Sequence, residues 1–258
     1  RNIGVHIKVD TGMGRLGFKD DAQKEILEIA NLKGITIDGV MSHFSEADLA
    51  DASFAKMQLE RFRDLRNGLV SHGLKIGMFH LSNSAAVMTL PESHLDGVRP
   101  GLMLYGYSPV QKSEAELRTL NSELIPVMTV KARILALRKL VSGTPVSYGR
   151  TFITKRDSLI GVITAGYADG FNRLFSNNAE VLVKGRRVQV AGRVCMDLTM
   201  IDLTEVRDVT EGDEVIIIGR QGDELIDASE LALRADTIPY EIVISLGCRA
   251  KRIYRDNN

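Results

Sequence analysis

The residues most able to do chemistry sit in short strings between apolar runs. In Lys8-Val9-Asp10-Thr11-Gly12-Met13-Gly14-Arg15-Leu16-Gly17, three glycines within six residues let a backbone come close to a ligand, and Arg15 is a fixed positive donor. The same spacing equally describes an ordinary tight turn between a strand and a helix. His43 precedes Phe44-Ser45-Glu46-Ala47-Asp48; it is either an imidazole placed for chemistry at a strand end or a satisfied side chain. In His80-Leu81-Ser82-Asn83-Ser84-Ala85-Ala86 a strand runs into hydroxyl and amide groups, and Ser84 is a helix cap, a phosphate ligand, or both. Val98-Arg99-Pro100-Gly101-Leu102 sets a cation beside a bare glycine amide, a plausible phosphate seat, although Arg-Pro-Gly alone is more often a structural turn.

Three further strings lie in the second half. Pro145-Val146-Ser147-Tyr148-Gly149-Arg150 and Gly166-Tyr167-Ala168-Asp169-Gly170 each place a tyrosine beside glycine, where interface or packing roles are common. Gly192-Arg193-Val194-Cys195-Met196-Asp197 alternates apolar and charged residues, and Cys195 by default is a small buried hydrophobe.

The elements that must position these strings change character along the chain. Val5–Val9, Gly39–His43, Phe79–Ser82 and the run through Val98 and Met103-Leu104-Tyr105 read as strands. Between them, Asp21–Leu32 and Asp51–His72 carry apolar residues at helical spacing, the second at Ala55, Leu59, Phe62, Leu65 and Leu69. About four strand–helix repeats predict a parallel sheet or barrel whose strand ends carry the binding loops. The polar segment Gln111–Glu123 reads as a short connecting helix. Beyond it, Met128, Val130, Ala132 and Ile134 alternate with polar residues as in a strand buried on one face. Hairpins are expected across Lys184-Gly185-Arg186 and across Gly219-Arg220-Gln221-Gly222, and Asp227 with Glu230 forms a capping box opening a helix over 228–235.

Composition narrows the function classes. With 33 basic and 33 acidic residues the chain has no net charge, which argues against a nucleic-acid or membrane-surface partner. No apolar run reaches the roughly 18 residues of a membrane span, and no secretory leader pattern is seen. Its two cysteines, Cys195 and Cys248, form neither a disulfide framework nor a metal site. These features point to a soluble, cytoplasmic enzyme with no metal.

Taken together and in order, the strings resemble the alanine racemases, pyridoxal-phosphate (PLP) enzymes of fold-type III, from residue 1 to about residue 255. Ser147-Tyr148-Gly149, Cys195-Met196-Asp197 and Ile238-Pro239-Tyr240-Glu241 are the most telling matches beyond those of the first half. The resemblance implies α/β plus all-β architecture: the C-terminal half of a PLP-binding (β/α)8 barrel over residues 1–120, then a mainly antiparallel β-domain over 121–258. It implies that Arg99 faces the pyridine nitrogen with His43 in support. Ser84, the amides of Gly101 and Leu102, and Tyr240 would hold the phosphate. Arg15 would contact the phenolic oxygen and the substrate carboxylate, positioned by Lys8, which is carbamylated in many members. In a head-to-tail homodimer with shared sites, Tyr148 of the other subunit would be one of two catalytic bases, and Met196 would offer its amide to the substrate. Tyr167, Arg173, Arg193, Asp48 and Ile238 would line the access corridor. The implied activity interconverts L- and D-alanine, supplying D-alanine for peptidoglycan.

Other readings are a serine or broad-specificity racemase of the same fold, disfavoured by the bulk of Tyr240, and a non-catalytic PLP-binding barrel, disfavoured by the whole β-domain. A complete barrel takes about 250 residues, so about 120 supply half a ring. The family's Schiff-base lysine, in a Lys-Ala-Asn-Ala-Tyr-Gly-like string, has no counterpart in the 258 residues. The expectation is therefore that it lies ahead of Arg1, together with a phosphate-binding tyrosine, and that the chain alone is inactive.

Overall fold

The structure is a computed structural model describing residues 2–110 and 124–255. The expected connecting helix over Gln111–Glu123 lies outside the described residues. Two compact units divide at Ile125 and Pro126, and each is taken by itself.

The first unit holds four parallel strands in sequential order: β1 (Ile3–Lys8), β2 (Ile35–Met41), β3 (Met78–Ser82) and β4 (Gly97–Val98). Parallel strands that neighbour in chain order need a crossover after each strand, the connectivity of a βα barrel. Helices α1 (Ala22–Ala30) and α2 (Ser53–Ser71) supply the first two. The apolar stripe of α2 at Ala55, Leu59, Phe62 and Leu69 is buried in one core with Ile7, Val40, Phe79 and Leu81 from the strands. Burial on this scale contributes roughly 25 cal/mol per Å² of apolar surface, which fixes the helix against the sheet. The expected strand around Met103-Leu104-Tyr105 is instead a 3-10 turn, Leu102–Tyr105. Only Leu102 of that run is buried, and Gly106 ends the turn at φ 83°, so the run has neither a strand's alternation nor its backbone.

The second unit is antiparallel. Its main sheet runs β10-β9-β12-β5-β8-β11, formed by β5 (Val130–Leu140), β8 (Ser158–Ile163), β9 (Glu180–Val183), β10 (Arg186–Gln189), β11 (Thr199–Asp202) and β12 (Glu214–Gln221). A bridge between Val190 and Ile201 joins the two ends of that order, closing the sheet on itself and removing its edges. Strands β6 (Pro145–Val146) and β7 (Phe152–Ile153) pair separately. The β9–β10 hairpin turns at Lys184 and Gly185, φ 51° and 74°, as expected. The second hairpin turns later than expected. Gln221 pairs with Glu224 of β13 (Glu224–Ile226), so only Gly222 and Asp223 lie in the turn, and Gly219 stays in the ladder. Asp227 caps helix α4 (Ala228–Arg234) by accepting the Glu230 amide at 2.8 Å. The Glu230 carboxylate does not return the bond; it accepts from Arg187 at 2.7 and 3.0 Å. A last helix, α5 (Pro239–Ser245), opens with proline at its first turn.

Candidate active site

Three strand ends of the first unit converge on Arg99. Its Nη2 donates to the Ser42 carbonyl at 2.7 Å and lies 3.2 Å from His43 Nδ1, both just beyond β2. Its Nη1 donates to Nδ1 of His80 on β3. Because a guanidinium can only donate, that bond puts the His80 proton on Nε2, which faces His6 Nδ1 on β1 at 2.9 Å. Gly39 of β2 makes this possible, since a Cβ there would meet the His6 ring at 2.5 Å. Arg99 is thus half-buried among neutral acceptors. Burial lowers its own pKa, and among the described residues no carboxylate pairs with it. Burial, then the Arg99 charge, pushes His43 and His80 each to about 4, so both rings are neutral at pH 7.

Beside Arg99, Ser84 begins α3 (Ser84–Thr89), capped by Asn83, whose side chain accepts the Ala86 amide at 3.0 Å. Ser84 is therefore not the cap. Its Oγ accepts the Gly101 amide at 2.7 Å and faces the Met103 amide at 3.4 Å. A Cβ at Gly101 would meet nothing nearer than that hydroxyl at 4.0 Å, leaving room for a bulky anion. Leu102 is anchored in the core. A hydroxyl, the Gly101 and Met103 amides turned toward it, and a nearby cation fit a phosphate group.

The glycine loop after β1 settles between its two readings. Asp10 accepts the amides of Gly12, Met13 and Gly14 at 2.8–3.1 Å, so those amides are spent within the loop. The Gly12 bond leads the causes holding Asp10 below the usual carboxylate range. Phe18 and Asp10 then close the loop by backbone bonds at 2.8 and 3.0 Å around Lys8. What the loop presents outward is exposed Arg15. Burial, then the charges of Arg99 and Arg15, lowers the pKa of Lys8. Asp48 is half-buried in the loop that follows His43.

In the second unit the remaining strings meet in one loop cluster. Ser147, at φ 66°, donates its hydroxyl to the Arg193 carbonyl at 2.6 Å, and a Cβ on Gly192 would meet Ser147 Cβ at 2.7 Å. The Tyr167 and Ala168 amides donate to the Cys195 and Met196 carbonyls at 3.0 and 2.9 Å. A Cβ on Gly166 would strike the Met196 carbonyl at 2.3 Å. Arg173 starts the turn whose Ser176 hydroxyl accepts the Val194 amide at 3.0 Å. This interlocked base holds Tyr148, 71% exposed, and Met196, 55% exposed, on its surface. Tyr240 and Ile238, at the start of α5, are also exposed. Sequence reasoning missed Asp10, His80 and His6 as working groups; a glycine inside strand β2 opposite His6 was the available signal.

Comparison with known proteins points to one family. The family models "Alanine racemase, N-terminal domain" and "Alanine racemase, C-terminal domain" match residues 1–109 and 127–254. The alanine racemase of Thermodesulfovibrio yellowstonii is 51% identical over 252 residues, 98% of this chain and 65% of the relative. That of Carboxydothermus hydrogenoformans is 44% identical over 254 residues, covering 98% and 68%. The solved alanine racemase of Clostridium difficile 630 matches with a TM-score of 0.90 at 35% identity, over 100% of this chain and 66% of that one. The chain thus spans about two thirds of the length of its relatives. Because the N-terminal-domain model itself matches here, these comparisons do not support the expectation of a lacking N-terminal lysine, and the expected inactivity finds no confirmation in them.

Proposed function

The chain belongs to the alanine racemase family, and from that premise we propose that the protein interconverts L- and D-alanine with PLP as cofactor, in the cytoplasm, supplying D-alanine for peptidoglycan. The observation that carries this reading is the seat of Arg99, a cation held by the neutral groups His80, His43 and the Ser42 carbonyl beside the Ser84–Gly101 cradle. When bound, PLP supplies the electron sink that lets an α-proton leave. Arg99 is a guanidinium that donates hydrogen bonds and keeps its proton, so it would not pass one to the cofactor's ring nitrogen. It therefore holds that sink weak, which favours returning the proton over transamination. Ser84, the amides of Gly101 and Leu102, and Tyr240 bind the phosphate.

Arg15 takes the substrate carboxylate, with Lys8, carbamylated, setting its position. A lowered lysine pKa is consistent with this, because only the neutral amine takes up carbon dioxide. Inverting the α-carbon needs a base on each face. Tyr148 is one, acting from the partner of a homodimer, and the family's cofactor-binding lysine is the other. The Met196 amide holds the carboxylate from the same side as Tyr148. Tyr167, Arg173, Arg193, Asp48 and Ile238 line the corridor, and residues 1–120 and 121–258 form the two domains.

The test is chiral chromatography of L-alanine, and separately L-serine, incubated with the full-length protein and PLP. D-alanine forming faster than D-serine supports the reading. No D-alanine from PLP-loaded, folded protein overturns it.

A further inference from the structure

Helix α2 buries one polar side chain completely. Gln58 is 0% exposed, next to the core residue Leu59. Its carboxamide is used on both ends. Oε1 accepts the Ser45 amide at 3.0 Å and the Ser45 hydroxyl at 3.1 Å. Nε2 donates to the His43 carbonyl at 3.2 Å and reaches the Thr11 hydroxyl at 3.4 Å. The orientation is determined, because the Ser45 amide can only donate and the His43 carbonyl can only accept.

The contacts extend outward from there. The Thr11 hydroxyl lies 2.7 Å from the Ser42 hydroxyl, and the Thr11 carbonyl accepts from Arg61, also on α2, at 3.1 Å. The Ser42 carbonyl is the one that accepts from Arg99. One side chain on a rigid helix thereby ties the loop leading to Arg15, the loop carrying His43, and the backbone that seats Arg99. Methionine or leucine would fill the same space without the desolvation cost of an amide, so packing alone does not call for glutamine.

We infer that Gln58 is a positioning residue, which sets the register of the Thr11–Arg15 loop against the His43–Ser45 loop so that Arg15, His43 and Arg99 face one bound cofactor and substrate. This rests on the function proposed above.

Gln58→Glu keeps the shape and places an acceptor against the His43 carbonyl, whereas Gln58→Met keeps the length and removes every bond. Four quantities are read on the full-length protein: kcat and KM for alanine taken separately, the Kd for PLP from an absorbance titration, and the His43 ring resonances. The expected result is a KM raised about tenfold or more, a PLP Kd raised several-fold and displaced His43 resonances, with Gln58→Glu worse than Gln58→Met at matched Tm. Should neither variant fold, Thr11→Val removes one of the same bonds while keeping a branched side chain, and carries the same expectation in milder form. A folded variant with wild-type KM, PLP affinity and His43 resonances overturns the inference. A wild-type protein inactive on alanine would overturn the functional reading instead, while PLP affinity and the His43 spectrum would still decide for or against Gln58.

Discussion

Protonating His80 should cost the first unit a large part of its stability, because the ring is 7% exposed and already accepts a bond from a cation. Burial first, then Arg99, then His6, lowers its pKa from 6.5 to about 4. A base with a lowered folded-state pKa takes its proton more readily in the unfolded chain. Stability is therefore full above pH 6.5, falls between 6.5 and about 4, and levels off below. One pKa unit is worth about 1.4 kcal/mol, so this shift caps the loss at about 3 kcal/mol. His43 loses stability through the same window, by less, because its ring is only half-buried and water screens it. The loss is also functional: once His80 is protonated, both ring nitrogens donate and Arg99 loses an acceptor.

Urea unfolding at pH 7.5, 6, 5 and 4.5, for wild type and His80→Gln, measures the effect. Glutamine can still accept from Arg99 but does not titrate. The variant should show about 2 kcal/mol less acid dependence across the window, in keeping with the cap above. Ring nitrogen resonances of the five histidines, assigned by substitution, give the pKa directly. His80 titrating at 6 or above in the folded protein, or equal acid dependence in the two proteins, would refute the reasoning.

Three other outcomes follow from the sites. Ser84→Ala should weaken PLP binding about tenfold, the worth of one hydrogen bond to a charged group, measured by absorbance titration; an unchanged Kd removes Ser84 from the phosphate seat. Arg99→Glu should raise the ratio of transamination to racemisation, read as pyruvate against D-alanine, and a constant ratio would detach Arg99 from the ring nitrogen. Mixing inactive proteins, one lacking the cofactor-binding lysine and the other Tyr148→Phe, should restore part of the activity after subunit exchange, since a mixed dimer holds one intact site; no recovery would end the shared-site proposal.

Much of the fold was legible because the periodicities are local. Strands β1 and β3 and helices α1 and α2 fall where alternating or helical apolar spacing placed them, whereas β2 runs from Ile35 to Met41 and so starts and ends ahead of the expected Gly39–His43. Met103–Tyr105 misled because an apolar run bracketed by glycines does not reveal which of its side chains is buried. The Asp227–Glu230 box misled because Arg187, far along the chain, competes for the Glu230 carboxylate. At the site, Arg99, His43 and Ser84 stood out by their position at strand ends. The His6–His80 contact did not, since it spans 74 residues across a strand where only the bare α-carbon of Gly39 lets the rings meet. The Asp10 carboxylate likewise does locally what the glycine spacing suggested for a ligand.

The central claim is alanine racemisation with Tyr148 as the base on the L face. Its phenol is 71% exposed, and among the described residues no hydrogen bond to it is formed, so Tyr148→Phe should leave the stability of this unit within about 0.5 kcal/mol. A positioned general base is worth about 10²–10⁴ in rate, so racemisation should fall by that factor in both directions, each of which crosses both faces. The decisive measurement is mass spectrometry of L- and D-alanine after incubation with full-length Tyr148→Phe protein and PLP in heavy water. The account predicts that D-alanine still exchanges its α-proton while L-alanine does not. Equal exchange from both enantiomers would contradict it.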